Sequence, residues 1–172
     1  MPSSRILIAS NTLGSSAASV TFSSIPATYT DLVVRVSARA DITNRNLKIT
    51  FNNTSPSATT YSRVLLYGTG SAATSIFDAS VETFAVFGGT VQSSYTANTF
   101  SSTEIYIPSY TVSQNKPIGA FGTTENNATE SIVTAGAGLW RDTSTINRID
   151  LAPNSGNFVS GSTFWLYGLK NS

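Results

Sequence analysis

The sequence predicts an all-β protein built as an antiparallel β-sandwich, and three observations lead to this prediction. Runs rich in Val, Ile, Thr, Phe and Tyr recur along the 172 residues, at roughly the 8–20-residue spacing of sandwiches and barrels. Turn-forming Ser, Asn, Gly and Pro separate these runs. No window of about twelve residues gathers helix formers with a helical period.

The predicted strands begin with residues 5–10 and 19–25. The next two runs, 31–40 and 47–52, alternate apolar and polar residues, as half-buried strands do. The alternation in 31–40 places Arg39 on the outward side. The polar turn DITNRN between these two runs predicts that they form a hairpin.

The second half of the chain continues the same pattern. Seven more strands are predicted at 62–68, 83–89, 100–107, 118–124, 130–138, 146–152 and 162–169. Two long stretches lack a clean pattern, 53–61 and 70–82, and both are predicted to be loops at one end of the sandwich. No repeat or charged linker divides the chain, so residues 1–172 are predicted to form one domain. Residues 1–18 are interpreted as an N-terminal arm or edge strand.

The last run, STFWLYGL (162–169), is apolar on both sides. Phe164 and Leu166 lie on one side, and Trp165 and Tyr167 lie on the other. A strand of this kind is expected to be buried on both faces. The sequence therefore predicts a central strand, covered by its own core and by a second layer or a neighbouring subunit.

The composition argues against an enzyme. The chain has no His and no Cys, which excludes a Ser-His-Asp triad, a thiolate nucleophile and the usual zinc ligands. A carboxylate pair, as in glycoside hydrolysis, is the remaining option, but no acid is embedded among apolar residues. The acids considered are Asp78, Glu82, Glu104, Glu125 and Glu130. We expect solvated or strand-edge carboxylates, and predict no catalytic, cofactor-binding or metal-ligating residues.

Three weaker signals each have a structural interpretation that the sequence favours. Asp41, Asn44 and Asn46 offer oxygens for calcium, although an ordinary Asx-type turn fits better. Gly136, Gly138 and the pair Gly88–Gly89 predict turns or bulges with positive φ. The Trp and Tyr residues could form a sugar-stacking platform, but core and interface packing is the favoured interpretation. These aromatic residues are Tyr29, Tyr61, Tyr67, Tyr95, Tyr106, Tyr110, Trp140, Trp165 and Tyr167.

The charge distribution argues against nucleic-acid and membrane partners. The net charge is +1, only 11% of residues are charged, and no basic cluster could neutralise phosphates or anionic lipids. Ser and Thr replace charge on the surface, at about three residues in ten. The short apolar run near the N-terminus does not resemble an exported signal. The chain is therefore expected to be soluble and made in a cytoplasm.

Six segments, taken in order, resemble a pattern of tailed-bacteriophage virion proteins. An Ile-Pro shortly before a Tyr leads into a strand of the form DLxLxxxxR, and the ending GSxFxLYG is the most recognisable piece. The segments are FSSIPATYTDLVVRVSARAD (22–41), LKITFNN (47–53), YSRVLLYG (61–68), IYIPSY (105–110), INRIDL (146–151) and NFVSGSTFWLYGLK (157–170).

The resemblance implies a jelly-roll-like module of the phage particle. It is expected to be a capsid decoration (cement) protein that binds the major capsid protein and stabilises the assembled head, as a homo-oligomer, most simply a trimer. It would be made in the host cytoplasm and reside on the capsid surface. The alternative is a receptor- or carbohydrate-binding module of a tail fibre or other appendage. The family pattern carries no catalytic residues.

Overall fold

The computed structural model describes residues 5–53 and 59–170, and within these ranges it contains strands and no helix. The twelve strands are β1 (Arg5–Thr12), β2 (Val20–Phe22), β3 (Asp31–Ser37), β4 (Leu47–Phe51), β5 (Tyr61–Gly68), β6 (Ala73–Val81), β7 (Phe84–Val86), β8 (Ser102–Ile107), β9 (Lys116–Glu125), β10 (Ser131–Trp140), β11 (Ile149–Pro153) and β12 (Thr163–Leu169).

The strands form two sheets that pack face to face. One sheet has eight strands in the order β1-β12-β3-β8-β9-β10-β5-β6, and the other has four in the order β2-β11-β4-β7. Every pairing between neighbours is antiparallel. The predicted all-β antiparallel sandwich is confirmed.

The core lies between the sheets and follows from the alternation in each strand. In β4 the buried residues are every second one, and in β12 Phe164 and Leu166 are fully buried. Trp140 is also fully buried, and its ring meets that of Phe51 edge-on at 5.3 Å. Apolar burial of this extent is the main stabilising term of the fold.

The prediction of a loop at 70–82 is wrong, because residues 73–81 form β6 at one edge of the eight-stranded sheet. This strand is rich in Ala, Ser and Thr, so its sequence does not show the alternation of apolar and polar residues that predicts a strand. Pairing with β5 along the register Val64↔Phe77 and Leu66↔Ser75 determines its conformation instead. The other predicted loop, 53–61, lies largely outside the described residues, and Tyr61 begins β5.

The predicted hairpin between 31–40 and 47–52 is also wrong, because β3 and β4 lie in different sheets. After Ser37 the chain leaves the eight-stranded sheet, and its backbone forms hydrogen bonds with segments outside β4. The Ala38 N–H donates to the Ser101 hydroxyl at 3.1 Å, and the Ala40 N–H donates to the Val91 carbonyl at 2.8 Å. These contacts carry the chain across to the second layer.

Arg39 is buried, contrary to its predicted outward position, and only 9% of the residue is exposed to solvent. Its guanidinium donates to the carbonyls of Ser93, Tyr95 and Thr96 at 2.8 to 2.9 Å. A charged side chain is tolerated inside when its donors are satisfied. Arg39 therefore fixes the 93–99 loop rather than facing solvent.

The last strand, β12, is an interior strand, because it pairs with β1 on one side and β3 on the other. It lies second from the sheet edge. Phe164 and Leu166 are buried as predicted, whereas Trp165 and Tyr167 are only half-buried. Within this chain the outer side of β12 is therefore only partly covered, and its predicted cover by a neighbouring subunit stays a prediction.

Gly136 and Gly138 lie in the middle of β10, and neither has a positive φ. The predicted role in turns is wrong for both. A Cβ on Gly138 would lie 2.4 Å from the ring of Phe84, which is fully buried on β7. The glycines therefore let the four-stranded sheet approach β10 closely. Of the predicted pair Gly88–Gly89, Gly88 adopts a positive φ of 68° as predicted, whereas Gly89 does not.

Candidate functional site

The outer face of the eight-stranded sheet carries two rows of side chains that cross all eight strands. The backbone register defines both rows. The first runs Ser10, Trp165, Arg35, Glu104, Phe121, Ala135, Leu66, Ser75. The second runs Leu7, Tyr167, Val33, Tyr106, Gly119, Ala137, Val64, Phe77. Residues opposite each other in such rows are side-chain neighbours.

One half of this face, on β9, β10, β5 and β6, is apolar and almost free of charge. The exposed side chains include Phe77 at 71%, Leu66 at 59% and Phe121 at 55%. Among the outward positions of these four strands, Glu125 at the end of β9 is the sole charged residue. We call this surface, formed by the outward residues of the four strands, the charge-free face.

The charge-free face is large for a protein surface. Four strands about 4.8 Å apart and about eight residues long cover roughly 500 Å² of flat sheet. Exposed apolar patches of a few hundred Å² on monomers are often functional. Charge depletion is the compositional mark of interface cores. The surface therefore has the character of a docking site.

Small residues give the charge-free face a shallow depression. Gly119, Ala135 and Ala137 form its floor, Phe121 and Leu66 are among the larger side chains around it, and Glu104 and Tyr106 of the neighbouring β8 also line it. Its volume is about 450 Å³, and its lining is predominantly apolar. A side chain from a partner could insert here without burying an unpaired polar group.

The outer face of the four-stranded sheet has the opposite character. Thr21, Asp150 and Thr50 face outward in one row. The Thr21 hydroxyl donates to Asp150 at 2.6 Å, and Arg148 forms a salt bridge with the same carboxylate at 2.7 Å. The molecule thus has a polar outer side and an apolar one, and the apolar exposure is a local feature.

The other half of the eight-stranded sheet carries an ion triad between aromatic residues. Arg5 donates through two nitrogens to both oxygens of Glu104, at 2.8 and 3.2 Å, and Arg35 Nε donates to Glu104 at 2.9 Å. The hydrogen bonds from Arg5, with a smaller contribution from Arg35, hold the pKa of Glu104 below its usual value. Glu104 is therefore a permanent anion at neutral pH.

A polar groove of about 660 Å³ lies over two members of this triad, Arg35 and Glu104. Trp165 and Phe121 border it, and Arg35 and Glu104 lie between them in the same cross-strand row. Outward hydroxyls on β3 and β8 complete the lining. We call this the aromatic groove.

The predicted acids are scattered and do not form a catalytic pair. Asp78 forms a salt bridge with Arg63 at 2.7 Å, and Glu130 forms one with Arg45 at 2.6 Å. Glu125 accepts from the backbone N–H of Asn127 in the β9–β10 hairpin turn. Glu82 is exposed after β6.

The Asp41, Asn44 and Asn46 segment adopts the Asx-type turn that the sequence favours. The Asn46 N–H donates to the Asn44 side chain at 2.8 Å, and Asp41 accepts from the N–H of Asn157 at 2.8 Å. Within residues 5–53 and 59–170, no three acidic side chains cluster in a way that could hold a metal ion.

The aromatic residues divide between core and outer face. Tyr61, Tyr95, Tyr110 and Trp140 are buried. Tyr106, Trp165 and Tyr167 belong to the outer rows. The sequence analysis named Trp165 and Glu104 as candidates, but it did not predict that Arg35, Glu104 and Phe121 align with Trp165 across neighbouring strands. Alternation within each strand was the available signal, whereas the register between strands was not visible.

Comparisons with known proteins assign no family. No protein-family model matches this chain, and no curated protein matches it significantly. Among solved structures, the alginate lyase vAL-1 from Chlorella virus aligns with a TM-score of 0.32 and 7% identity, covering 99% of this chain and 90% of that one. A likeness this weak supports no inference about function. The described part of the chain has no helix long and apolar enough to cross a membrane.

Proposed function

We propose that this protein is a non-enzymatic structural protein of a tailed-phage virion, a capsid decoration (cement) protein that docks on the head through its charge-free face. One observation carries the proposal: four adjacent strands present an apolar, nearly uncharged surface to solvent. The partner is the major capsid protein, as the sequence resemblance implies. Docking of this kind needs no catalytic residue, cofactor or metal.

The size and character of the charge-free face support docking on a large partner. Its roughly 500 Å² of flat sheet supplies most of the ~800 Å² that each partner contributes to a standard interface. Leu66 and Phe77 are large and exposed. Leu66 lies on β5, inside the face, and Phe77 lies on the edge strand β6. Apolar contacts are weakly affected by salt, which suits a particle that meets changing ionic strength.

Stabilisation of the head would follow from linkage. A protein that binds the assembled shell and not the free subunits lowers the free energy of the assembled state. Each contact can be modest, because many symmetric copies act on one shell. The mechanism therefore requires a docking surface and no chemistry.

We further propose that the copies associate as a ring, most simply a trimer, through the two edges of the eight-stranded sheet. β1 and β6 are the edge strands, and an edge offers unpaired N–H and C=O groups to another chain. Contact between unlike edges is heterologous, and such contacts close into rings when the rotation allows.

Co-sedimentation with shells tests the docking proposal. The probe is a shell assembled from the major capsid protein of the same genome, without decoration. The wild-type chain should sediment with expanded shells and remain in solution with unassembled subunits. Leu66→Ser combined with Phe77→Ser should reduce binding at least tenfold, since two buried apolar side chains are worth several kcal/mol.

A matched control lies on the other half of the sheet. Arg35→Gln changes an exposed residue outside the charge-free face and should sediment like wild type. Equal binding by the double variant, or no binding by the wild-type chain, would contradict the proposal.

The alternative function is a receptor- or carbohydrate-binding module of a phage tail fibre or other appendage. The aromatic groove favours this alternative, because Trp165 and Phe121 border a polar surface that is open to solvent. If this protein were found on the tail of the virus particle and not on the head, the tail-module alternative would be favoured.

A further inference from the structure

We propose that the aromatic groove is a binding site for an acidic saccharide, a sugar ring that carries a carboxylate. The site adjoins the charge-free face that carries the proposed function and shares Phe121 with it, and the inference holds for a head protein or a tail protein. Three features support it: the spacing of the aromatic side chains, the unoccupied nitrogens of Arg35, and the polar lining.

The geometry suits an extended ligand lying across the strands. Trp165, Arg35, Glu104 and Phe121 occupy successive positions on β12, β3, β8 and β9. Three strand intervals of about 4.8 Å place the Cα atoms of Trp165 and Phe121 about 14 Å apart. A ligand between the two rings would lie directly over the charged residues.

Arg35 has donors available for a carboxylate. Its Nε donates to Glu104 at 2.9 Å, while its two terminal nitrogens have no hydrogen-bond partner among the described residues. The side chain is 54% exposed. A guanidinium presents paired N–H donors in a planar fork that matches a carboxylate.

The ion triad beneath and beside the groove favours an anion, although Arg35 and Glu104 are its only members that line the groove. Arg5 and Arg35 share one carboxylate, Glu104, so the triad carries a net charge of +1. Glu104 is already satisfied by three hydrogen bonds and holds both arginines in place. An incoming carboxylate would meet positioned donors and a favourable field.

The lining favours a sugar over an acidic peptide. The apolar C–H faces of a sugar ring pack against aromatic rings, and Trp165 and Phe121 supply such rings at the two ends. Ser37 and Ser102 line the same groove and can donate to or accept from sugar hydroxyls. The indole N–H of Trp165 has no hydrogen-bond partner within the part of the chain described, which leaves one more donor.

Calorimetry with a matched pair of ligands tests the class of ligand. The probe is an oligosaccharide that contains glucuronate units, and the control is its carboxyl-reduced, neutral form. The acidic form should bind at least tenfold more tightly, because one charge-assisted bidentate contact is worth about that factor. Equal binding of the two forms, or binding of neither, would overturn the inference. So would equally tight binding of an Asp/Glu peptide.

Variants test the residues and their signs. Arg35→Gln should weaken binding of the acidic form about tenfold and leave the neutral form unchanged. Glu104→Gln should strengthen binding of the acidic form several-fold, because the groove loses its own anion. A merely structural role for Glu104 would not produce tighter binding, so weaker binding by this variant would contradict the inference.

Two controls separate this site from the docking surface. Trp165→Leu should weaken both ligand forms by about tenfold, since it removes the stacking ring. Leu66→Ser lies on the charge-free face and should bind the acidic saccharide like wild type. If Leu66→Ser lost saccharide binding while Arg35→Gln kept it, the saccharide would bind on the charge-free face and not in the aromatic groove, which would contradict the inference.

Discussion

Lys116 shows how a single buried charge can hold loops together. It is 1% exposed at the start of β9, and its ammonium donates to the carbonyls of Val112, Gln114 and Thr143. Burial lowers its pKa, and Asp142 nearby opposes that change. Three backbone acceptors from two loops therefore depend on one side chain.

Lys116→Met should lower the free energy of unfolding by about 3 kcal/mol, because it leaves several carbonyls without a donor. Urea denaturation followed by tryptophan fluorescence measures the effect. Lys48→Met is the matched control, since Lys48 lies on the outer face of the four-stranded sheet, and it should change stability by less than about 0.5 kcal/mol. Equal effects of the two changes would contradict this role.

Carboxylates determine the expected pH dependence of stability. Hydrogen bonds lower the pKa of Glu104, mainly from Arg5, and of Asp142, mainly from the Ser144 N–H. A lowered pKa in the folded state contributes stability above the unfolded value and loses it as pH falls through the folded value. Without His, no side chain with an ordinary pKa titrates between about pH 5 and 8.

Stability should therefore be flat from about pH 5 to 8 and should fall below about pH 4.5. Urea midpoints across this range measure it. A midpoint that changed by more than experimental error between pH 6 and 8 would contradict this account.

At the scale of elements, β10 depends on its glycines. A Cβ at Gly138 would meet the Phe84 ring at 2.4 Å and the Ser62 carbonyl at 3.1 Å. Gly138→Ala should cost about 1–3 kcal/mol through overpacking. Gly119→Ala on the neighbouring strand is the control, because nothing lies within 4 Å of its Cβ position. Thermal unfolding distinguishes them, and a neutral Gly138→Ala would show that the sheets can separate.

The two strands at one end of the eight-stranded sheet should respond differently to deletion. Removing 162–172 deletes β12, which pairs on both sides and carries the fully buried Phe164 and Leu166. This variant should fail to fold. Removing 1–12 deletes only the edge strand β1 and should leave a folded but less stable chain.

Far-UV circular dichroism of the soluble fraction measures both deletions. A folded product without β12 would contradict the interior placement of that strand. An unfolded product without β1 would show that the edge pairing is essential as well.

The strands were largely predictable because alternation is local, whereas pairing is not. The run at 47–52 carries a strict period of two and forms β4. β6 was not predicted because it is rich in Ser, Thr and Ala and is exposed on both sides, so its sequence lacks the alternation of apolar and polar residues that marks a half-buried strand. The hairpin 31–40/47–52 was predicted wrongly because the Ala38 and Ala40 contacts with distant residues redirect the chain.

The candidate sites were less predictable than the fold. Trp165 and Phe121 are 44 positions apart in the chain, and only the register across β3 and β8 places them on one groove. The charge-free face likewise needs β6 as a strand before Phe77 joins Val64 and Leu66. The sequence correctly indicated a low-charge surface but could not locate it.

At the scale of the whole molecule, the outer face of the eight-stranded sheet has an apolar half and a half that carries the ion triad. We propose that the charge-free half docks on the phage shell and that the aromatic groove remains open to a ligand. The halves share the sheet and meet at Glu104 and Phe121, which line both the apolar depression and the aromatic groove. Variants at Leu66 and Arg35 should therefore separate the two activities.

A reconstruction of the assembled virus particle tests the central proposal most directly. The account predicts density for this chain on the head, with β9, β10, β5 and β6 turned toward the major capsid protein and the aromatic groove facing solvent. Density on the tail, or on the head with the charge-free face exposed to solvent, would contradict it.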